Sequence, residues 1–160
     1  MQQGISCCVA DGRSIGLGST CASTSLIQYE LDVPLFKLKQ LIGWRHAEKA
    51  YRLCYEVFDQ LEYIAGQIGY HELARCNSVY FAHHAKAFSM LKKEYAARKK
   101  AGFDVELITG NTPMQPLGSA GAIVSARAAK IDSYLFTHCL HQYNRQHGVA
   151  VFENTNVRLS

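Results

Sequence analysis

The spacing of apolar positions changes several times along this chain, and each change marks a new element. Residues 5–10 form a short apolar, partly β-branched run that stops at Asp11-Gly12, which predicts a buried strand closing in a turn. A loop through Gly16 and Gly18 follows, with Ser19 or Thr20 placed to cap a short helix running towards Ile27. Val33-Pro34 opens a helix to about Leu41, broken near Gly43. Ala47, Ala50, Tyr51, Cys54, Val57, Phe58, Leu61, Ile64 and Ala65 then recur at spacings of three and four. That period predicts a long amphipathic helix ending near Gly66 or Gly69.

The second half switches period more often. Strands are expected at and just before residues 79–82, at 105–108 and at 122–125, with a basic helix over about 86–100 closed by Gly102. Residues 110–118 read as a turn-rich loop. Asp132 is placed to cap a helix whose apolar stripe is Leu135, Phe136, Cys139, Leu140 and Tyr143, and Gly148 marks its end. A strand over 149–152 closes the pattern. Helices and strands are interleaved without an internal repeat, so the fold class is α/β.

Composition narrows the picture. Of 160 residues, 48% are apolar and 19% charged, which is a globular balance. A net charge of +4 spread along the chain gives no general nucleic-acid footprint. No apolar run approaches the roughly 20 residues of a membrane span. The first residues lack the basic-then-apolar pattern of a signal peptide, so a cytoplasmic location is expected. The six cysteines (7, 8, 21, 54, 76 and 139) fall in apolar stretches, read as small buried hydrophobes, and show no C-x-x-C spacing.

The sharpest chemical feature is Asp11 at the end of the first strand, ahead of a glycine-bearing loop and a hydroxyl-rich helix start. A carboxylate at such a strand tip can accept hydrogen bonds from a ribose diol, and free amides at a helix start suit phosphate oxygens. The same residues also describe an ordinary strand ending in an Asp-Gly turn. Gly16-x-Gly18 is not a dinucleotide fingerprint, because position 21 is cysteine. His138 and His141 could share a helix face, but no further ligands accompany them, so no metal site is expected. His83-His84 reads as capping or solvent-exposed. In the basic helix, Leu91, Tyr95 and Ala96 supply a core stripe, which leaves Lys86, Lys92, Lys93, Arg98, Lys99 and Lys100 as a solvated face. Tyr51, Tyr55, Phe58 and Tyr63 read as core and shoulder packing of the long helix.

The stretch from Asp11 through Gly16, Gly18, Ser19, Thr20, Thr24 and Ser25 to Ile27 resembles the second FAD-contact region of the D-amino-acid oxidase and glycine oxidase family. Residues 77–82, a helix and residues 102–107 resemble that family's substrate-domain strand, helix and strand. Residues 121–124, 129–132 and 148–157 resemble its return to the FAD domain. The resemblance implies a partial Rossmann-like FAD-binding domain with part of a mixed α+β substrate domain. It divides as 1–70 (partial FAD-binding segment and helical region), 71–128 (partial substrate domain) and 129–160 (return to the FAD-binding domain).

Carried over by position, Asp11 would bind the adenosine ribose, with Gly12 allowing close approach. Ser19 and Thr20 would meet the pyrophosphate side. Thr24, Ser25 and Leu26 would lie along the flavin-ward part of the cofactor, and Val157 would present its backbone to the adenine. Family members open with a strand, a G-x-G-x-x-G turn and a helix ahead of the acid. Only ten residues precede Asp11, so a piece incomplete at both ends is expected. The implied activity is FAD-dependent oxidation of an amino acid, amine or related small molecule; no residue is singled out as its acid or base. The rivals are a non-catalytic truncated remnant and a small interaction module using the basic helix. Unpaired strand edges of a partial Rossmann unit further imply self-association.

Overall fold

Two sheets organise residues 5–110 and 118–158, the residues described in this computed structural model. In chain order the elements are β1 (Cys8–Ala10), β2 (Leu26–Gln28), α1 (Leu35–Ile42), α2 (Trp44–Gln67), β3 (Ala74–Ala82), α3 (Ala85–Lys100), β4 (Val105–Ile108), β5 (Gly121–Lys130), α4 (Ser133–Gln146) and β6 (Ala150–Phe152), with a 3₁₀ turn at Ser19–Ala22. Residues 111–117 of the expected turn-rich loop lie outside the described residues. The chain forms two units. The first takes Met1–Leu26, Leu61–Leu73 and Ile131–Ser160; the second takes Ile27–Gln60 and Ala74–Lys130. These boundaries differ from a division at 70 and 128, because residues 27–60 cluster with the second unit.

In the first unit, β1 and β6 pair in parallel, with Cys8 opposite Ala150, Val9 opposite Val151 and Ala10 opposite Phe152. Strands that are adjacent and parallel need a crossover, and here almost the whole chain lies between them. The expected burial of residues 5–10 does not occur. Val9 and Val151 are half-buried on one face, while Cys8, Ala10, Ala150 and Phe152 are exposed on the other. Parallel strands are buried only when both faces are covered, and α4 packs against β6 on one side. The α4 stripe is correspondingly shallow: Phe136, Cys139, Leu140 and Tyr143 are half-buried and Leu135 is exposed. Asp132 caps α4 through Oδ1, which accepts from the Leu135 amide at 2.9 Å. The Tyr70 ring meets Phe136 edge-on at 5.2 Å, and its hydroxyl accepts from the Asp132 amide at 2.6 Å.

The second unit is built on β5, which lies between β3 and the strands β2 and β4. It runs over ten residues, longer than expected, and is buried along most of its length because neighbours flank both edges. Its register with β3 shifts where Cys76 faces Ala128 and Ser78 faces Ser125. That bulge sets Ala126 and Arg127 against Asn77 and re-aims a side chain. Arg127 consequently leaves the sheet, donating through Nε to the Tyr55 carbonyl at 3.1 Å and through a terminal nitrogen to Asp59 at 2.6 Å. The core beside the sheet is aromatic. Tyr29 lies 5.3 Å from Phe103 in a stacked pair and meets Tyr55 edge-on at 5.1 Å, and Tyr51 donates its hydroxyl to the Val33 carbonyl at 3.0 Å.

Three sequence expectations need correction. Along α2 the buried positions are Ala47, Tyr51, Phe58 and Ala65, whereas Val57, Tyr63 and Ile64 are exposed, so the apolar stripe is broader than the face that packs. Arg98 does not belong to a solvated basic face. It is 2% exposed and paired with Glu94 one turn earlier, while Ala96, expected in the core stripe, is exposed. Cys7, Cys8 and Cys21 are exposed, and Cys54, Cys76 and Cys139 only half-buried; all six are free thiols. Among the described residues no helix is long and apolar enough to cross a membrane.

Candidate functional site

The site grows from the point where both parallel strands end. Beyond β1, the Asp11 amide donates to the Phe152 carbonyl at 2.9 Å, extending the ladder by one step. The chain leaving β6 then turns back: the Thr155 amide donates to the Asp11 carbonyl at 2.7 Å, and the Asn154 amide to the Arg13 carbonyl at 3.1 Å. Asn154 makes that turn with φ of +51°, a left-handed conformation that asparagine tolerates better than most residues. Glu153 adds a side-chain tie, its Oε1 accepting from the Ile15 amide at 2.9 Å. Residues 11–15 and 153–155 are thus zipped together at the carboxyl ends of β1 and β6, the side of an α/β sheet on which ligands bind.

Asp11 is half-buried there, with Oδ1 accepting from the Arg13 amide at 2.9 Å. A Cβ on Gly12 would stand 2.5 Å from Asn156 Oδ1, so the close approach at Gly12 is to the returning chain. Val157, two residues beyond Thr155, is 69% exposed. Asp11, Gly12 and the segment leading to Val157 therefore form one cluster.

The remaining candidates form a second cluster. Instead of a helix from Ser19 towards Ile27, the chain makes one 3₁₀ turn, Ser19–Ala22, and then enters β2 at Leu26. Pairing of β2 with β5 overrides the weak helix preference of this Ser/Thr/Ala run. Ser19 and Thr24 are exposed, Thr20 is half-buried, and Leu26 is 64% exposed. Ser25 sits at φ +56° and its carbonyl accepts from the Ile131 amide at 3.1 Å. Ser133, at the start of α4, ties the loop together. Its hydroxyl donates to the Thr20 carbonyl at 2.7 Å and accepts from the Ser25 hydroxyl at 2.8 Å. The full helix start beside this loop thus belongs to α4, and a cleft of about 320 Å³ lies among Cys21, Ser23, Thr24, Ser25, Asp132 and Ser133.

Four residues of the site escaped sequence reasoning: Ser133, Tyr134, Glu153 and Asn156. Each acts through a partner more than a hundred positions away, as in the Ile15–Glu153 and Thr20–Ser133 bonds, and no local pattern announces that. Tyr134 covers Gly16, where a Cβ would meet its ring at 2.8 Å. His138 and His141 line a cavity of about 360 Å³ with Ile15, Arg145 and Glu153. His138 Nε2 and His141 Nδ1 are buried without a hydrogen-bond partner. The His141 pKa is lowered, chiefly by burial and then by Arg145 and His138, with Asp11 and Glu153 opposing. Among the described residues no group of three or more His, Cys, Asp or Glu side chains is placed to hold a metal ion.

The family model described as FAD dependent oxidoreductase matches residues 1–159. The chain belongs to this family. Solved structures share the fold. A glycine oxidase from Bacillus cereus superposes with a TM-score of 0.69 at 15% identity, over 99% of this chain and 43% of that one. An L-proline dehydrogenase from P. horikoshii gives 0.75 at 16% identity, over 98% and 40%. An L-amino acid deaminase from Proteus myxofaciens gives 0.71 at 15% identity, over 99% and 36%. This chain therefore spans less than half the length of each. A comparison with curated proteins gives no match.

FAD is the cofactor of this family. The residues present are compatible with a ribose diol: a carboxylate at Asp11 spends one bond on its own turn and would keep lone pairs for further donors. Towards a pyrophosphate, Ser19 and Thr20 would offer hydroxyls, since their four-residue 3₁₀ turn is not the start of a full helix.

Proposed function

We propose that this chain supplies part of the FAD site of an oxidoreductase acting on an amino acid, an amine or a related small molecule. The observation that carries the reading is Asp11, held at the tip of a parallel strand and zipped to the chain leaving its neighbour. In the reading, the Asp11 carboxylate accepts hydrogen bonds from the ribose diol. The backbone near Val157 faces the adenine, and Ser19 and Thr20 offer hydroxyls to the pyrophosphate. Thr24, Ser25 and Leu26 border the flavin-ward part. The first unit is assigned to cofactor binding and the second to part of a substrate domain. When bound, FAD supplies the hydride acceptor; the protein's share is to bind and orient it. The substrate class rests on the family and on the similarity in fold to a glycine oxidase, an L-proline dehydrogenase and an L-amino acid deaminase.

Titration of the purified chain with FAD, followed by quenching of flavin fluorescence and by the absorbance band near roughly 450 nm, tests the proposal. Saturable binding that Asp11→Asn weakens supports it. A folded chain that leaves flavin fluorescence unchanged overturns it and favours a non-catalytic polypeptide.

A further inference from the structure

Within the second unit, a cavity of about 200 Å³ lies beside α3 and is lined by Gln28, Glu30, Asp32, Ser78, Tyr80 and Arg98, among others. Its charges do not balance. Arg98, 2% exposed, donates through Nε to Glu94 Oε1 at 2.7 Å and through a terminal nitrogen to Glu30 Oε1 at 3.0 Å. Glu94 is fully buried and satisfied at its other oxygen, which accepts from the Phe36 amide at 3.0 Å. Glu30 is different. Its side chain is 10% exposed, and Oε1 also accepts from the Ser78 hydroxyl at 2.6 Å, but Oε2 is buried with no hydrogen-bond partner.

One guanidinium thus faces two carboxylates: Glu94 is buried, while Glu30, 10% exposed, lines the cavity and carries the oxygen that has no donor. A buried carboxylate oxygen without a donor is costly, and a cation with N–H groups removes that cost. Asp32 adds a second acid to the lining, Ser78 and Gln28 add polar groups, and the Tyr80 ring lies 5.9 Å from the Arg98 guanidinium, holding that cation from a further side. Arg98 is the cation of the lining, and it is already engaged by two carboxylates.

We infer that this cavity binds the protonated head of a small organic amine at Glu30, and discriminates against an amino acid because the lining repels a second carboxylate. The site lies in the second unit alone, and it stands whether or not the chain holds flavin.

Isothermal titration of the full chain with n-butylammonium, L-norvaline (the same tail and amine with a carboxylate added) and n-butanol tests this. Saturable binding of n-butylammonium is expected, with norvaline and butanol weaker by about tenfold or more, the loss expected for a charge-assisted hydrogen bond. Glu30→Gln should lose about the same factor. Because Glu30 supports Arg98 and its variant can fail to fold, Asp32→Asn, at an exposed position, is measured beside it and should bind several-fold more weakly with an unchanged circular dichroism spectrum. No saturable heat with n-butylammonium, equal binding of norvaline, or unaltered affinity in a folded Glu30→Gln or Asp32→Asn chain would overturn the inference.

Discussion

Thr155 donates its backbone amide to the carbonyl oxygen of Asp11 at 2.7 Å, so the acid at the tip of β1 and the return from β6 are one piece of hydrogen-bonded backbone. That arrangement separates the carboxylate's role from the backbone's. Asp11→Ala should weaken FAD binding by about 1.5–3 kcal/mol through loss of a charge-assisted hydrogen bond. Asp11→Asn keeps an oxygen for the Arg13 amide but removes the charge, and should lose most of the same affinity. Flavin fluorescence titration reads both. Wild-type affinity in Asp11→Asn would remove the carboxylate from the site.

Gly16 and Gly18 look alike in sequence and differ in the fold. Gly16 sits at φ +79° with Tyr134 where a Cβ would go, at 2.8 Å. Gly16→Ala should therefore destabilise the first unit by about 1–3 kcal/mol, as positive-φ positions generally cost an added side chain. Gly18 meets only the end of Arg13, 3.8 Å away, so Gly18→Ala should stay within about 0.5 kcal/mol. Urea denaturation of both variants gives the comparison; equal effects would mean that the left-handed turn at Gly16 carries no strain.

What was legible in the sequence is what local chemistry decides. The long α2 period, the Asp132 cap and the stop at Gly148 depend on near neighbours, and the structure has them at those positions. The histidine pair ahead of α3 also reads locally, since His84 Nδ1 accepts from the Ala87 amide at 3.2 Å. The 3₁₀ turn at Ser19 is not legible locally, because β2 is held by β5, a hundred residues on. Arg98 reads as solvent-facing because charge dominates its neighbourhood, although Glu94 stands four positions earlier; the partner that completes its burial, Glu30, is 68 residues away. Asp11 could be singled out as the end of an apolar run. Ser133, which ties Thr20 to Ser25, could not.

Arg98 is the keystone of the second unit's polar core. Replacing it with methionine leaves Glu30 and Glu94 buried without their cation, and removing one partner from a buried ionic group costs about 3–5 kcal/mol. Arg98→Lys should recover only part of this, because a single ammonium cannot reach both carboxylates in the planar geometry of the guanidinium. Midpoints of chemical denaturation measure the series, and a loss below about 1 kcal/mol for Arg98→Met would show the pair to be dispensable.

His141 makes the first unit sensitive to acid. Burial, with Arg145 and His138 behind it, holds its pKa below the ordinary 6.5. The unfolded chain therefore takes up the proton first as pH falls, and stability present above pH 6.5 is lost as pH drops through the lowered folded value. Thermal midpoints should fall from about pH 7.5 to about pH 5.5, and His141→Gln should flatten that slope. A slope unchanged by the substitution would assign the acid sensitivity to other groups.

The exposed face of the parallel pair carries the last expectation. Cys8, Ala10, Ala150 and Phe152 present an apolar strip beside strand edges that have no further partner among the described residues. Such edges invite pairing with another chain, and Phe152, 51% exposed, supplies much of the apolar area. We expect the purified chain to self-associate with rising concentration in sedimentation velocity, from about micromolar to about 100 micromolar. A reductant must be present throughout, because Cys7 and Cys8 are exposed thiols able to cross-link on their own. Phe152→Lys should suppress association while changing the thermal midpoint little, since the side chain is 51% exposed in its own chain. If the chain stays monomeric over that range, the strip is not sticky enough to pair; if Phe152→Lys associates like the wild type, another surface drives assembly.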